Sequence, residues 1–488
     1  LDKVPKKYAG LDGTELAISE SQERMAVVLD KKDVEQFLSY AAEENLEATV
    51  VAEVTEEKRL VMSWRGKEIV NLSRAFLDTN GAHQETTVEV EMPDEKECYY
   101  KKQTELKNVK EMWEETLSDL NICSKKGLVE MFDSSIGAGT VTMPFGGKTQ
   151  LTPIQTMTAK LPVLEGKTEF TTMMSYGFDP YLSSWSPYHG AVYAVLESVA
   201  KIVAAGGNFR KIRLTFQEYF EKLGQNPEKW GKPLASLLGA YDAQINLGLA
   251  AIGGKDSMSG TYQDLNVPPT LISFACANGE KKNVISPELK QAGNKIYFFN
   301  HIPQENGLPN YDNLKNVSLF FFENIKAGKI VSVKTVKEGG VAVALAKMSF
   351  GNRLGAEITA DDKLLLTKNI GSLIIESKEE LSTVTLQFIG EVKDSNILKI
   401  NDSEFAIEKL LAANTNTFEN LFSTVEKDKI TVELDSKLNS INPRNIIIKK
   451  HGIAQPKVFA PIFPGTNCEY DTLNAFQKEG AIVSSLPL

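Results

Sequence analysis

The order of apolar and polar residues predicts a chain of mixed helices and strands. The clearest helix covers residues 187–205, where apolar side chains recur at helical spacing, Ser186 is a candidate N-cap and two glycines follow. Further helices are predicted at 32–44, 109–120, 234–243, 341–350, 406–413 and 469–480. Short apolar runs predict strands at 48–54, 59–64, 127–132, 152–162, 247–252, 270–277, 295–299, 318–322, 372–377, 385–392, 397–400, 457–463 and 481–486, with a strand-like start at Leu16.

One pattern occurs twice along the chain. Residues 52–80 align with residues 390–418 at an offset of 338 (390 − 52) without a gap, and both end in a strand, a tight turn, a strand and a helix. This spacing suggests duplication of a domain pair rather than a solenoid. Two unrelated α+β segments with the same order of strands and helices would give the same pattern, so an origin without duplication stays open.

The last segment, residues 457–486, indicates the opening of a βαβ unit: a strand, a glycine turn, a helix and a second strand. It stops before a sheet could close, so we expect the chain to be cut inside a domain here. We expect the same at the other end, because the first copy of the repeat lacks the N-terminal half of the second.

Composition narrows the possible functions. Lys and Arg total 54 against 64 Asp and Glu, a net charge of −10, which argues against nucleic-acid binding. No run is long and apolar enough to predict a membrane span, and the first residues do not resemble a secretory signal. Cys98, Cys123, Cys276 and Cys468 form no CxxC pair, which argues against disulfides and zinc and fits a reducing cytoplasm.

The glycine-rich segment at residues 253–260, GGKDSMSG, is the most suggestive for chemistry. Its glycines and hydroxyls would let backbone N–H groups approach a phosphate. Lys255 could neutralise phosphate charge, and Asp256 could hold Mg²⁺ through a hard oxygen ligand. The pattern is not a P-loop, and a surface turn with a Lys–Asp pair is an equal alternative.

Four other positions have both a functional and a structural interpretation. The polar segment at residues 19–24 could bind a polar substrate, or form a solvated turn. Glu197 on the long helix could ligate a metal, but its i,i+4 spacing to Lys201 favours an ion pair. His189 in the first helical turn could face an anion, with capping as the default. Cys468 at a helix start could be a nucleophile, but a structural cysteine is favoured.

Four segments carry a family resemblance, in order along the chain: SESQERMAVVL, SPYHGA followed by LES, GGKDSMSG and FPGTNCEYDTLNAFQKEGA. Together they resemble phosphoribosylformylglycinamidine synthase (formylglycinamide ribonucleotide amidotransferase) of the long, single-chain type, over essentially the whole chain. The resemblance implies an α+β fold of aminoimidazole-ribonucleotide-synthetase-like N-type and C-type α/β domains, occurring twice. It also implies that the chain ends in the truncated start of a class I glutamine amidotransferase α/β domain.

The resemblance implies a domain plan. Residues 1–90 would be the second half of a first C-type domain, 108–285 the second N-type domain, 290–425 the second C-type domain and 455–488 the start of the amidotransferase domain. Residues 91–107 and 426–454 would be linkers.

The family reaction converts formylglycinamide ribonucleotide to the amidine with ATP and glutamine-derived ammonia. By resemblance, the site residues are divided by role: Glu20, Ser21 and Gln22 for substrate, Gln155, Gly254, Lys255, Ser257 and Ser259 for nucleotide, and Glu197 and Asp256 for Mg²⁺. The implied cofactors are ATP or ADP with Mg²⁺. The implied enzyme is a cytoplasmic ligase with no nucleic-acid or membrane partner, and this chain alone could form a homodimer.

The chain departs from the family at two of four expected metal ligands. Thr156 replaces an Asp and Lys201 replaces an Asn. We therefore expect the Lys201 ammonium to supply part of the metal's charge. No catalytic residue of the family falls within the chain, since Cys468 matches the GTNCE segment and not the nucleophile. We expect the isolated chain to be inactive.

Two alternatives remain beside a ligase fragment. One is a non-catalytic half that holds a nucleotide for stability, which the two lost ligands favour. The other is a selenophosphate or thiamine-phosphate enzyme of the same superfamily, against which the GTNCE segment argues.

Overall fold

The structure is a computed structural model. It describes residues 1–6, 10–19, 24–79, 85–94, 98, 109–132, 135, 139–163, 166–381, 383, 385–424, 455–463, 466, 468 and 469–487. Two compact units are present: Leu1–Glu85 with Glu433–Leu488, and Thr86–Val432.

The helices are numbered in chain order: α1 Gly13–Ile18, α2 Val34–Glu43, α3 Arg74–Thr79, α4 Val109–Ser118, α5 Lys126–Glu130, α6 Pro180–Trp185, α7 Pro187–Ala204, α8 Pro227–Leu247, α9 Tyr311–Lys326, α10 Gly340–Phe350, α11 Asp362–Leu365, α12 Ile407–Asn416 and α13 Glu469–Lys478. The strands are β1 Arg59–Trp64, β2 Lys67–Ser73, β3 Thr140–Thr142, β4 Phe145–Gly146, β5 Thr152–Pro153, β6 Met157–Lys160, β7 Phe170–Gly177, β8 Arg213–Tyr219, β9 Ala251–Lys255, β10 Thr261–Tyr262, β11 Leu265–Asn266, β12 Thr270–Glu280, β13 Lys295–Phe299, β14 Ile330–Thr335, β15 Gly355–Ile358, β16 Leu373–Ser377, β17 Gln387–Lys393, β18 Ile397–Ile400, β19 Ser403–Ala406, β20 Lys457–Ile462 and β21 Ile482–Pro487.

The first unit contains a hairpin and a short parallel pair. Strands β1 and β2 pair antiparallel across the Arg65–Gly66 turn, and both turn residues have positive φ. Strands β20 and β21 pair in parallel with α13 between them, as the βαβ pattern predicts. The strand-like start at Leu16 is wrong. It lies in α1, because Asp12 and Glu15 form a reciprocal capping box that starts a helix.

The larger unit is built on two sheets. The six-stranded sheet has the order β3-β6-β7-β12-β8-β9, and the seven-stranded sheet has the order β14-β16-β13-β17-β15-β18-β19. Helix α7 is buried along almost its whole length because one core cluster joins it to both sheets. Leu196 of α7 shares that cluster with Ala275 of the first sheet and Ile375 of the second. A charged side chain on α7 is therefore held in the interior.

A second core cluster covers the other face of the seven-stranded sheet. Phe298 and Ile374 point to this face and pack with α4, α10 and α12. Their strand neighbours Tyr297 and Ile375 belong to the α7 cluster, as the twofold alternation of a strand requires. Both faces are thus buried, which explains the nearly continuous apolar runs of these strands.

Three predicted strands are wrong. Residues 318–322 lie in α9, where Leu314, Val317, Phe321 and Ile325 are buried at helical spacing. A five-residue apolar run fits either period, and the flanking turns decide it. Residues 127–132 enter the short helix α5, in which Lys126 pairs with Glu130 one turn later. Residues 48–54 have no regular structure.

The sequence repeat corresponds to a hairpin followed by a helix in both copies. Its ungapped alignment is wrong across the turn, because Arg65 and Asn401 begin the two turns at an offset of 336 (401 − 65). The first hairpin has an irregularity between Met62 and Ser63 that the second lacks. The domain boundaries implied by the family stay predictions.

Candidate functional site

Helix α7 carries the centre of the candidate site. Its start is fixed locally as predicted: Pro187 occupies the first turn, and Ser186 Oγ accepts a hydrogen bond from His189 N. The His189 ring contacts Ser186 Oγ at 2.8 Å and the Asn306 carbonyl at 3.0 Å, and burial lowers its pKa. His189 is therefore a packed capping residue, and the candidate chemistry lies further along the helix.

Glu197 lies on α7 and is 1% exposed. Its Oε1 is 2.6 Å from Lys201 Nζ and 2.7 Å from Lys337 Nζ, while Oε2 accepts a hydrogen bond from Phe178 N at 3.3 Å. Burial raises the pKa of Glu197, but the two ammonium groups outweigh it and hold that pKa below its ordinary value. The predicted i,i+4 pair with Lys201 is confirmed, and a second lysine completes it.

The two lysines differ in their surroundings. Lys201 Nζ also donates to the Tyr176 carbonyl at 2.7 Å, and burial lowers its pKa to about 8 despite Glu197. Burial also acts to lower the pKa of Lys337, but Glu197 raises it to about 12. At neutral pH both side chains are ammonium ions, so the carboxylate is fully neutralised.

A second group of charges lies beside this cluster. Lys368 Nζ bridges Asp179 and Glu338, at 2.6 Å from each carboxylate. Burial lowers the pKa of Lys368 to about 7 and raises that of Asp179. Burial, and then the charge of Asp179, raises the pKa of Glu338 to about 7. The loop before α10 therefore contributes two ionisable residues to this region, Lys337 and Glu338.

Lys334, on β14, has no counterion. It is 6% exposed, and among the described residues no carboxylate lies within 4.0 Å of its Nζ. The pKa of Lys334 is lowered to about 7. Burial is the main cause, the charges of Lys347, Lys201 and Lys337 also lower this pKa, and Glu288 raises it by less. Lys347 donates to the Ile122 carbonyl at 2.5 Å. A buried ammonium without a counterion is costly, so this position favours an anion.

Gln155 connects this region to the segment before β6. Its Oε1 accepts hydrogen bonds from Thr335 N at 3.0 Å and Thr335 Oγ1 at 2.6 Å, one residue from Lys334. The next residue, Thr156, donates from Oγ1 to the Lys201 carbonyl at 2.9 Å. The structure thus brings Gln155 to the Glu197–Lys334 region. Its amide oxygen is occupied by Thr335.

The predicted loop residues lie elsewhere. Gly254, Lys255, Asp256 and Ser259 are exposed, Ser257 is half-buried, and Lys255 Nζ donates to the Asp256 carbonyl at 3.1 Å. The loop follows β9, the edge strand of the first sheet, while Glu197 packs at Gly177 on β7. Three strand spacings separate these positions, roughly 14 Å at about 4.8 Å each.

The sheet order thus does not place Glu197 and Asp256 on neighbouring strands, and their assignment as Mg²⁺ ligands stays a prediction. The sheet order separates the two carboxylates, and two ammonium ions already neutralise Glu197. Among the described residues, no three His, Cys, Asp or Glu side chains come together in a way that could hold a metal ion. The roles of the remaining predicted residues stay predictions, and Glu20, Ser21 and Gln22 lie outside the described residues.

Lys334, Lys337 and Lys368 were missed by the sequence interpretation. One signal was present: Lys334 interrupts the β-branched run IVSVKTV, where an inward-facing charge is unusual. That signal does not say which residues surround the lysine, because its neighbours come from α7 and α10.

Residues 1–65 match the family model of the AIR synthase related protein, C-terminal domain. The chain is 25% identical over 387 residues to phosphoribosylformylglycinamidine synthase subunit PurL of Thermoplasma acidophilum, covering 73% of this chain and 48% of that protein. It is 27% identical to PurL of Thermococcus gammatolerans, covering 80% of this chain and 55% of that protein. The chain spans about half the length of these curated relatives.

Solved structures show the same fold. T. maritima PurL complexed with ADP superposes with a TM-score of 0.51 at 18% identity, covering 80% of this chain and 59% of that one. T. maritima PurL complexed with FGAR gives a TM-score of 0.51 at 20% identity, covering 80% of this chain and 57% of that one. The chain has an α/β fold like that of aminoimidazole ribonucleotide synthetase and is a relative of phosphoribosylformylglycinamidine synthase.

Proposed function

We propose that this chain is part of a phosphoribosylformylglycinamidine synthase, an ATP-dependent C–N ligase of purine biosynthesis. In this reaction ATP phosphorylates the amide oxygen of formylglycinamide ribonucleotide, and ammonia from glutamine then attacks the amide carbon and displaces phosphate. The sequence relationship to PurL, which extends over 73–80% of the chain in the relatives above, supports the proposal. The reported complexes of T. maritima PurL with ADP and with FGAR fit it.

The part of this enzyme that the described residues form is a nucleotide phosphate site. The observation that carries it is Lys334, whose side chain is buried with no carboxylate within 4.0 Å of Nζ among the described residues. Five buried or half-buried lysines (Lys201, Lys334, Lys337, Lys347 and Lys368) lie near four buried or half-buried carboxylates (Glu197, Asp179, Glu338 and Glu288), so lysines outnumber carboxylates here although the chain is acidic. The phosphates of ATP or ADP would supply the missing negative charge.

Helix α10 adds backbone donors to the same region. It begins at Gly340, two residues after Glu338, and its N-cap is Gly339, so no side chain caps its first turn. Free N–H groups at a helix start favour phosphate. Gly339 and Gly340 both have positive φ, and a Cβ at Gly340 would lie 2.5 Å from the Leu365 carbonyl. The two glycines therefore allow the tight backbone turn that places Lys337 beside the start of α10.

Mg²⁺ does not fit this site. Lys201 Nζ and Lys337 Nζ both lie within 2.7 Å of Glu197 Oε1. A hard cation would have to displace two ammonium ions that already satisfy the charge. The lysines would therefore neutralise the phosphate charge in place of the metal, as expected from the replacement of the family's Asn by Lys201.

A second candidate is a non-catalytic half that holds its nucleotide for stability. The Lys201–Glu197–Lys337 ion pairs favour it, because they occupy the place of metal ligands that phosphoryl transfer uses in this family. In this case a bound nucleotide stays unchanged and contributes to stability by mass action. Because the chain spans about half of its relatives, it would form no amidine and release no glutamate alone.

The remaining assignments are part of the same proposal. Glu20, Ser21 and Gln22 would bind formylglycinamide ribonucleotide, and residues 455–488 would begin the amidotransferase domain. We place the enzyme in the cytoplasm, which fits the four free cysteines. No described helix has both the length and the apolar character that a membrane crossing requires.

Two measurements on the purified chain test the proposal. Acid release followed by nucleotide chromatography should find ADP or ATP bound, and the amount should fall at least tenfold in Lys334→Met but not in the exposed-site control Lys282→Met. Bound ATP that persists for hours supports the non-catalytic half, whereas conversion to ADP supports a catalytic one. A nucleotide-free chain to which added ATP and ADP do not bind would contradict the proposed site, and glutamate release would contradict the expected inactivity.

A further inference from the structure

Glu218 is a buried carboxylate whose inner oxygen has no partner. The residue lies on β8 and is 7% exposed, and its Oε1 is fully buried with no hydrogen-bond partner among the described residues. No lysine, arginine or histidine nitrogen of those residues lies within 4.0 Å of the carboxylate. A buried carboxylate without a partner is costly, so this position favours a proton or a cation.

A carboxylate three residues later is treated differently. Glu221 is 5% exposed and pairs with Lys229 at 2.7 Å and with Lys232 at 2.5 Å. Burial acts to raise the pKa of Glu221, but the two ammonium groups hold that pKa below its ordinary value. Burial, and then the charge of Asp256, raises the pKa of Glu218 to about 7. The charge that acts on Glu218 is therefore negative, and no lysine compensates it.

The strand register places Asp256 beside Glu218. Strands β8 and β9 pair in parallel, and their pairing ends at an offset of 38 residues (255 − 217). Past the end of β9, Ser257 N donates to the Glu218 carbonyl at 3.1 Å, and the Ser257 carbonyl accepts from Phe220 N at 2.9 Å, which continues the same offset. Glu218 and Asp256 are therefore opposite each other. Opposite residues of a parallel pair point to the same face of the sheet, with the strands about 4.8 Å apart.

The two carboxylates lie at the margin of the apolar interior. On its other side Glu218 pairs with Leu271 of β12, which is 1% exposed and packs in an apolar cluster with α7 and α8. Asp256 is exposed, and Lys255 Nζ donates to its backbone carbonyl rather than to its carboxylate. A ligand that approaches Glu218 from the Asp256 side therefore meets two carboxylates that no described cation neutralises.

We propose that Glu218 and Asp256 together bind a hard divalent cation of the Mg²⁺ class. Carboxylate oxygens are the protein ligands that Mg²⁺, Mn²⁺ and Ca²⁺ prefer over softer metals. Mg²⁺ is commonly held by one or two carboxylates, with water completing its coordination. One divalent ion would balance both negative charges and would give the buried Oε1 of Glu218 its missing partner.

This site gives Asp256 a different partner from the one that the family resemblance implies. The resemblance joins Asp256 to Glu197, but Lys201 and Lys337 already neutralise Glu197. Glu218 lies on the strand next to Asp256, whereas Glu197 packs against β7, three strand spacings from β9. The proposal goes beyond the proposed function and does not depend on the nucleotide site, because neither carboxylate belongs to the lysine cluster.

Binding of Mn²⁺ to the nucleotide-free full chain tests the proposal, because free Mn²⁺ gives an electron paramagnetic resonance signal that is lost on binding. We expect one bound Mn²⁺ per chain with a dissociation constant of about 0.1–1 mM, and displacement by excess Mg²⁺. Glu218→Gln and Asp256→Asn should each weaken binding at least tenfold. The control Asp264→Asn, an exposed carboxylate between β10 and β11, should change the affinity less than twofold.

Several outcomes would overturn the proposal. A chain that binds no Mn²⁺ at about 5 mM would show that a proton, and not a cation, satisfies Glu218. Unchanged affinity in Glu218→Gln would exclude this residue as a ligand, and an equal loss in Asp264→Asn would show that Mn²⁺ responds only to surface charge. Circular dichroism shows whether each variant is folded. Should Glu218→Gln not fold, the exposed Asp256→Asn decides, and unchanged affinity there contradicts the site.

Discussion

Replacing Lys334 by methionine is expected to stabilise the ligand-free protein. The ammonium is 6% exposed and has no carboxylate within ion-pair distance among the described residues. Methionine has a similar length and carries no charge, so it can fill the same space. Most substitutions at buried positions destabilise proteins, and a gain here would show that Lys334 is kept for a reason other than stability.

The size of the gain in unfolding free energy follows from the pKa of Lys334. Burial lowers the pKa of Lys334 from 10.5 to about 7. At about 1.4 kcal/mol per pKa unit, the charged form costs at most ~5 kcal/mol. Replacement of buried charges by apolar residues has given gains of about 1–4 kcal/mol, so we expect a gain of about 2–4 kcal/mol at pH 7.

The gain in unfolding free energy from Lys334→Met should depend on pH. Above pH 10.5 Lys334 is neutral in both the folded and the unfolded chain and carries no penalty. The penalty grows as pH falls toward 7 and stays constant below it, because only the unfolded chain binds the proton in that window. The gain from Lys334→Met should therefore be about 2 kcal/mol smaller at pH 9 than at pH 7.

Urea unfolding of the nucleotide-free chain at pH 7 and pH 9 measures this gain, with Lys282→Met as the control. Lys282 is 74% exposed by side chain, so its replacement should change the unfolding free energy by less than about 0.5 kcal/mol. A Lys334→Met protein that is less stable than wild type at pH 7, or that gains as much stability at pH 9 as at pH 7, would contradict this prediction.

The remaining predictions concern the same core. Glu197→Gln should lower the unfolding free energy by about 3–5 kcal/mol in urea titrations, because Lys201 and Lys337 lose their buried counterion; an effect below 1 kcal/mol would contradict the pairing. Gly340→Ala should cost clearly more than Gly248→Ala in thermal unfolding. Both glycines have positive φ, but only at Gly340 would a Cβ meet backbone atoms, so equal losses would contradict the packing argument.

Local signals in the sequence predicted the centre of the site well. The cap at Ser186 and the i,i+4 spacing of Glu197 and Lys201 depend only on neighbours along the helix, and both were confirmed. The antiparallel repeat hairpins were also recognisable, although the irregularity after Met62 shifted their alignment. Such features are decided by interactions within one or two turns of chain.

The rest of the site depends on which elements become neighbours. Lys337 reaches Glu197, and Lys334 comes near Lys201, because β14 packs beside α7, and the sequence does not show that packing. Asp256 was grouped with Glu197 through the family resemblance, but the strand order of the sheet separates them. The apolar run at residues 318–322 fits a helix or a strand equally, and packing of Phe321 in the α7 cluster selects the helix.

The central claim is that lysines, and not Mg²⁺, neutralise the nucleotide phosphates in this half of the protein. Calorimetric titration of the nucleotide-free chain with ADP, first with excess Mg²⁺ and then with a chelator, tests it most directly. We predict that the two dissociation constants for ADP agree within tenfold. A loss of affinity of a hundredfold or more on chelation, about 2.7 kcal/mol, would contradict it.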